Sequence, residues 1–108
     1  MPFGGEPPVH LGVDLIELKK AKDFYKRHKK RLDSFFTKNE IFYIGNDSGA
    51  TRRVAELLAA KEAVFKASGK TWMGPQGFGK SCLNLPPGMK IYFTKKNKKY
   101  VVAQCVGI

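Results

Sequence analysis

The stretch LLAAKEAVFKASGK, residues 57–70, predicts an α-helix that carries charge on an otherwise small and apolar face. Its apolar residues recur at helical spacing, so we expect one long helix over about residues 51–68, with Gly69 placed for a left-handed cap. Glu62 and Lys66 stand one turn apart on this helix. Small neighbours on the same face would let another group approach closely. A carboxylate and an ammonium in that position therefore need an explanation.

The segments around this helix have their own periodicity. TKNE at residues 37–40 matches a capping box and predicts a short helix that ends at Ile44. Residues 19–31 predict a basic amphipathic helix. After a glycine-rich loop at 69–80, the chain predicts a strand, a Pro-Pro-Gly turn at 86–88, a second strand, a lysine-rich hairpin turn around Asn97 and a third strand. VHLGVDLIEL at residues 9–18 alternates as a strand does. That alternation separates two sets of residues, Val9, Leu11, Val13 and Leu15 on one face and His10, Gly12, Asp14 and Ile16 on the other.

These elements together predict an α+β fold. We expect a small antiparallel sheet packed against one long helix plus shorter helices. A chain of 108 residues can bury one modest core, so a single domain over residues 1–108 is expected, with residues 1–8 as a flexible tail.

Composition restricts the partners. Twenty Lys and Arg against nine Asp and Glu give a formal net charge of +11, which favours an anionic partner such as nucleic acid, a phosphorylated cofactor, an acidic protein or an acidic membrane. No apolar run is long enough to span a membrane, and the N-terminus lacks the pattern of a secretory signal. The two cysteines have no metal-ligand or disulfide-scaffold spacing. A cytoplasmic protein is the expectation.

Asp14 offers a chemical explanation for the charged residues on the long helix. A carboxylate within an apolar strand is costly unless it is paired or binds a cation, and the same holds for Glu62 on an alanine-lined helix. Two such carboxylates brought together repel each other, and Mg²⁺ is commonly held by one or two carboxylates plus substrate phosphates. Lys66, one turn away, could bind a phosphate. The alternative is an ordinary Glu62–Lys66 surface pair worth about 0.3–0.5 kcal/mol.

Four segments carry a resemblance to a known family: LGVDLIELKK, then FTKNE, then LLAAKEAVFKASG, and the closing YVVAQCV. In this order they resemble the holo-acyl-carrier-protein synthase family of 4′-phosphopantetheinyl transferases, whose sequences read G-[IL]-D-[IL]-x-E-[IL], L-T-x-x-E and R-F-A-A-K-E-A-x-x-K-A-x-G. The resemblance covers residues 11 to about 79 well. The C-terminal third is shortened and divergent, and Leu57 stands where the family has arginine.

The resemblance implies a reaction and a set of site residues. The reaction is Mg²⁺-dependent transfer of the 4′-phosphopantetheine arm of coenzyme A to a serine of an apo acyl carrier protein, with release of 3′,5′-ADP. Asp14, Glu62 and Lys66 would be catalytic, the two carboxylates as metal ligands and the lysine on the pyrophosphate. The resemblance also implies a homotrimer. The remaining expected contacts are Gly69, Arg52 and Arg53 to the cofactor and Lys20, Lys26 and Arg27 to the acidic carrier protein.

Two other function classes stay open at this point. A family member that binds coenzyme A or a carrier protein without turnover fits the divergent C-terminal third. A nucleic-acid-binding module fits the net charge and the basic helix, where Phe24 and Tyr25 are available as stacking groups, although a core stripe explains those aromatics equally well.

Overall fold

The computed structural model describes residues 10–68, 89–93 and 98–107 of the chain. The first strand, β1, runs His10–Glu17 and leads into helix α1 at Leu18–His28. Helices α2 at Lys38–Ile44 and α3 at Ala50–Ser68 follow. Strands β2 at Met89–Phe93 and β3 at Tyr100–Gly107 complete the described part. The predicted α+β class, with an antiparallel sheet against one long helix plus shorter helices, is confirmed.

The sheet has the strand order β1-β3-β2, and both pairings are antiparallel. The last strand is therefore the central one, between β1 and β2. Helix α3 packs against β1 and β3, and α1 packs against α3. The core lies between α3 and one face of the sheet, where Val101, Ala103 and Cys105 of β3 are buried. Within the described residues no helix is both long enough and apolar enough to cross a membrane.

The short helix α2 begins as its sequence predicts. The Thr37 side chain accepts a hydrogen bond from the Glu40 backbone N–H at 3.3 Å, and the Glu40 carboxylate accepts one from the Thr37 N–H at 2.8 Å. This reciprocal pair satisfies two backbone donors that the first helical turn would leave without partners. Gly45 ends the helix at φ +65°, a conformation that costs glycine little. The capping box and the end at Ile44 are both confirmed.

The basic helix is shorter than its sequence predicts. Its α-helical part ends at His28, and residues Lys29–Ser34 continue as a 3₁₀ segment in which Arg31 leaves helical geometry at φ −135° and ψ 37°. The chain turns here, and Phe35 packs edge-on against Phe24 with ring centroids 5.1 Å apart. Burial of these aromatics, together with repulsion among consecutive basic residues, favours the turn over continuation of the helix. The prediction of a helix over 19–31 is wrong at its C-terminal end.

The alternation in β1 is confirmed, but its apolar face is not the one that packs on α3. Leu11, Val13 and Leu15 are exposed at 61%, 44% and 53%, whereas Gly12 is buried and Asp14 is half-buried. The face with glycine and aspartate therefore meets the helix. The apolar side chains of β1 project from the outer face of the sheet, together with Tyr92 of β2.

The strand expected before Pro86, the glycine-rich loop 69–80 and the tail 1–8 lie outside the described residues.

Candidate functional site

The site begins with a very close contact between β1 and α3. A Cβ atom placed on Gly12 would lie 1.9 Å from the Ala63 carbonyl oxygen and 2.6 Å from the Ala67 backbone nitrogen. Only glycine allows the strand to come this near the helix backbone. Side chains alternate along a strand, so Asp14 lies on the same face as Gly12 and also points toward α3. The packing thus brings an acidic side chain to the helix.

Lys66 of α3 meets that acidic side chain. Its Nζ lies 3.1 Å from Asp14 Oδ1 and donates a second hydrogen bond to the Val13 carbonyl oxygen at 3.2 Å. The lysine side chain is 53% exposed and the aspartate side chain 18%. The two residues are 52 positions apart in sequence, so the fold, not local structure, makes this pair.

Glu62 stands one turn before Lys66 on the same helix, at the edge of the pair. Its partial burial raises the pKa of its carboxyl above the usual value, the negative charge of Asp14 raises it further, and Lys66 offsets part of the effect. The Glu62 carboxylate is therefore near enough to Asp14 for the two to repel. The structure thus joins Asp14 to Lys66, with Glu62 one turn away on the helix, and the convergence of both carboxylates on one cation stays a prediction.

The donor set of this cluster fits a hard divalent cation. It offers carboxylate oxygens, which Mg²⁺ prefers, and their mutual repulsion would be relieved by a cation between them. Nowhere in residues 10–68, 89–93 and 98–107 do three or more His, Cys, Asp or Glu side chains form a group that could hold a metal ion. Asp14 and Glu62 would thus supply two ligands, and a bound substrate or water would have to supply the others.

A second ion pair lies on the buried side of the same helix, and the sequence patterns did not predict it. Lys61 Nζ is 2.9 Å from Glu40 Oε2, with side-chain exposures of 1% and 0%. The ammonium also lies 5.8 Å from the centre of the Phe36 ring. This pair ties the first turn of α2 to α3 at the position preceding Glu62. The capping-box glutamate of α2 therefore also pairs with a lysine of α3.

The predicted cofactor contacts lie in different places. Arg53 donates to the Ile44 carbonyl oxygen at 2.8 Å and pairs with Asp47, so it secures the loop between α2 and α3. It is 13 residues from Lys66, roughly 20 Å along the helix axis. The structure therefore does not place Arg53 near Asp14, Glu62 and Lys66. Arg52, its neighbour, is half-buried in the same turn, and Gly69 lies outside the described residues.

The small residues of α3 have a different role from the expected one. Ala55, Ala59, Ala63 and Ala67 are all buried against the chain itself. Their size admits the backbone of β1 rather than a cofactor, as the contact at Gly12 shows. The family resemblance implies that this helix face is small so that the cofactor and metal can approach it, and the burial of these alanines within the chain contradicts that interpretation. The charged residues Glu62 and Lys66 lie at the edge of this packed face.

The basic helix α1 presents its charges to solvent. Lys20, Lys26 and Arg27 are all exposed. At 100° per residue Lys20 and Arg27 fall on one side of the helix, two turns apart, and Lys26 lies about 120° around it. Near the start of the helix is a cleft of about 310 Å³. It is lined by Glu17, Leu18, Lys19, Lys98, Lys99 and Tyr100.

The aromatic residues of α1 belong to the core. Phe24 packs on His28 at 4.7 Å between ring centroids and on Phe36 at 6.2 Å, and Tyr25 donates a long hydrogen bond to the Gly45 carbonyl oxygen. A half-buried ring held on several sides is a poor platform for stacking nucleic-acid bases. Of the two explanations of these aromatics, the core stripe is the one that the structure supports.

Known proteins share sequence similarity with this chain over most of its length. A sequence profile of the 4′-phosphopantetheinyl transferase superfamily matches residues 10–105. The holo-[acyl-carrier-protein] synthase of Clostridium kluyveri is 39% identical over 64 residues, which is 59% of this chain and 48% of that protein. The synthase of Clostridium acetobutylicum is 36% identical over 64 residues, 59% of this chain and 52% of its own length. The chain thus matches about half the length of these curated relatives.

Solved structures extend the likeness beyond those segments. A holo-(acyl-carrier-protein) synthase from Bacillus anthracis, solved in complex with CoA (3′,5′-ADP), has a TM-score of 0.65 at 26% identity, covering 91% of this chain and 94% of its own. The synthase from Neisseria meningitidis has a TM-score of 0.71 at 20% identity, covering 92% and 97%, and supports the fold alone. With a profile match over nearly the whole chain, the protein belongs to the 4′-phosphopantetheinyl transferase superfamily.

Proposed function

We propose that this protein is a holo-acyl-carrier-protein synthase. It would transfer 4′-phosphopantetheine from coenzyme A to a serine hydroxyl of an apo acyl carrier protein and release 3′,5′-ADP. The observation that supports the proposal is the contact of Asp14 with Lys66, beside Glu62 on the same helix, in a chain of this superfamily. The names of its relatives and the ligand in the Bacillus anthracis structure give the substrate class.

In this proposal Asp14 and Glu62 hold Mg²⁺, and Lys66 binds the pyrophosphate of coenzyme A. Bound there, Mg²⁺ would offset the charge that develops on the leaving phosphate. Asp14 and Glu62 set the position of that cation, because β1 and α3 are packed too closely at Gly12 to shift independently. Lys66 is half exposed on a flexible side chain, so it can turn from Asp14 toward a bound phosphate.

The proposed carrier-protein surface is the exposed side of α1 with Lys20 and Arg27, with Lys26 beside it. Acyl carrier proteins are expected to be acidic, and a cationic helix would accelerate their association. Arg52, Arg53 and Gly69 remain predicted cofactor contacts. Arg53 would reach a cofactor only by leaving its present contacts with Ile44 and Asp47.

We also propose a homotrimer, in which the outer face of the sheet is the subunit interface. That face carries Leu11, Val13, Leu15 and Tyr92 as exposed residues, with Val102 of the central strand half-buried among them. Apolar side chains side by side on one sheet face are costly to leave in water, and association of subunits would remove them from it. The proposed location is the cytoplasm.

The test is a transfer assay. The protein is incubated with Mg²⁺, coenzyme A and an apo acyl carrier protein, and the carrier is analysed by intact mass for the added phosphopantetheine. Asp14→Asn and Glu62→Gln should each abolish transfer. Glu56→Gln, six residues before Glu62 on α3, where its carboxylate accepts a hydrogen bond from the Tyr43 hydroxyl, is the control and should keep activity. Binding of coenzyme A without transfer would favour the non-catalytic alternative.

A further inference from the structure

An ammonium of the chain itself contacts the oxygen that a metal would need. Lys66 Nζ lies 3.1 Å from Asp14 Oδ1, and its second hydrogen bond to the Val13 carbonyl oxygen holds it beside the strand. Asp14 is therefore already paired with one cation from within the chain. A metal on Asp14 would have to displace this ammonium or share the carboxylate with it.

The charges of the Lys66 ammonium and of Mg²⁺ determine how much each lowers the affinity of Asp14 for the other. Mg²⁺ binds oxygen at about 2.0–2.1 Å, so a cation on Asp14 would lie within roughly 5 Å of the ammonium on the same carboxylate oxygen, and within roughly 7 Å on the other. Because Lys66 is 53% exposed, water screens the repulsion. A singly and a doubly charged ion at that separation in a water-like dielectric still lower each other's affinity by about tenfold.

We propose that Lys66 and a divalent cation compete for Asp14, so the ligand-free protein binds the cation weakly and binds it well only together with coenzyme A. The pyrophosphate supplies negative charge that draws Lys66 away from Asp14 and completes the metal coordination. This step rests on the proposed function, because coenzyme A is its ligand. The competition at Asp14 does not, since it follows from contacts within the chain.

The lysine can make this change without rearrangement of the fold. Its side chain is half exposed, and its backbone lies in the last turn of α3. Asp14 is fixed by strand pairing opposite Ala103 and by the contact of Gly12 with α3. The mobile partner in the pair is therefore Lys66, and the position of the carboxylate is the same before and after the exchange.

The experiment measures Mn²⁺ binding, by the loss of the free-ion signal in electron paramagnetic resonance, without coenzyme A. Lys66→Met removes the charge and keeps the length, and should tighten Mn²⁺ binding about tenfold. Lys66→Arg keeps the charge and should stay within about twofold of wild type. Lys38→Met removes the same charge from exposed α2 and controls for the net charge of the protein.

A second measurement repeats the titration at saturating coenzyme A. Coenzyme A should tighten Mn²⁺ binding in the wild type, and Mn²⁺ should tighten coenzyme A binding by the same factor. In Lys66→Met this coupling should fall about tenfold, because the competing ammonium is already gone.

The results separate the inference from the proposed function. If Lys66→Met binds free Mn²⁺ no better than wild type, or no better than Lys38→Met, the competition is wrong even when transfer activity is present. If Lys66→Met tightens Mn²⁺ binding while coenzyme A fails to bind the wild type, the competition stands and the synthase proposal fails. Wild-type Mn²⁺ affinity that is unchanged by bound coenzyme A would overturn the joint binding step.

Discussion

Gly12 of β1 lies against the backbone of Ala63 in α3, so closely that a Cβ on the glycine would be 1.9 Å from the alanine carbonyl oxygen. A side chain at this position would require β1 or α3 to move, because the contacting atoms belong to the helix backbone. Two residues further along the strand is Asp14, and three further along the helix is Lys66, which meet at 3.1 Å. The contact at Gly12 therefore sets the distance between β1 and α3 on which the Asp14–Lys66 pair depends.

Gly12→Ala should destabilise the protein by about 1–3 kcal/mol or more, because overpacking here displaces backbone. Urea denaturation followed by circular dichroism measures this. Gly49→Ala is the matched control, since its Cβ would meet the Arg53 guanidinium, 2.6 Å from Nη1, which is the movable end of a long side chain. Equal losses of stability in the two variants would show that the close approach at Gly12 is unimportant.

The elements of this fold were predictable where the signal is local. The capping box at Thr37 and Glu40 and the apolar spacing of α3 each define a helix within a few residues. The inward face of β1 was not predictable in this way. Alternation separates two faces of a strand but does not say which one packs on a helix, and here the contact made possible by Gly12 decides against the more apolar face.

In the candidate site, too, some contacts were predictable from local sequence and others were not. Glu62 and Lys66 share a helix, so their proximity follows from sequence. The Asp14–Lys66 contact joins residues 52 apart, and the sequence argument about costly carboxylates paired Asp14 with Glu62 instead. The burial of Lys61 beside Glu40 had no signal at all in periodicity. A lysine on a helix is ordinarily solvated, and only the tertiary position of α2 gives it a buried partner.

The buried Glu40–Lys61 pair leads to a stability prediction. Lys61→Met should cost about 3–5 kcal/mol in free energy of unfolding, since it leaves the Glu40 carboxylate buried without its cation. Adding Glu40→Gln should recover most of the loss, because the amide is neutral and still accepts from the Thr37 N–H. Chemical denaturation of the wild type, the single variant and the double variant checks this. A double variant less stable than Lys61→Met would contradict the charge argument.

Glu62 predicts how stability depends on pH in metal-free protein. Partial burial and the Asp14 charge raise its pKa in the folded state. The stability it contributes is thus complete below its ordinary value of 4.5 and is lost as pH rises through the raised folded value. Glu62→Gln should be more stable than wild type at neutral pH by about 0.2–0.5 kcal/mol, as for other like-charge pairs. Denaturation in a chelator from acid to neutral pH tests this; a difference that grows toward acid would refute it.

The outer face of the sheet predicts a change in oligomeric state. Light scattering at micromolar concentration should report a trimer for the wild type and a monomer for Leu15→Asp, which puts a charge where the interface is proposed. Leu15 is 53% exposed, so the subunit fold should survive. Phe42→Asp, at an 89% exposed position on α2, is the control and should remain trimeric. A wild-type monomer would remove the shared interface from the proposal.

The basic helix provides a prediction about the carrier protein. Lys20→Glu combined with Arg27→Glu reverses two charges on one side of α1 and should raise the KM for the apo carrier protein about tenfold at low salt, with little change in coenzyme A affinity. The effect should shrink at high salt, as the Debye length falls from about 10 Å at 0.1 M to about 3 Å at 1 M.

Lys22→Glu combined with Lys29→Glu is the matched control for that pair. It has the same charge change and the same seven-residue spacing. Lys22 lies about 160° around α1 from Lys20, and Lys29 is the first residue after the end of α1. If docking uses the side with Lys20 and Arg27, the control should have a much smaller effect on KM. Equal effects of the two pairs would mean that net charge alone steers the carrier protein, and no effect of either would make the basic run an ordinary solvated surface.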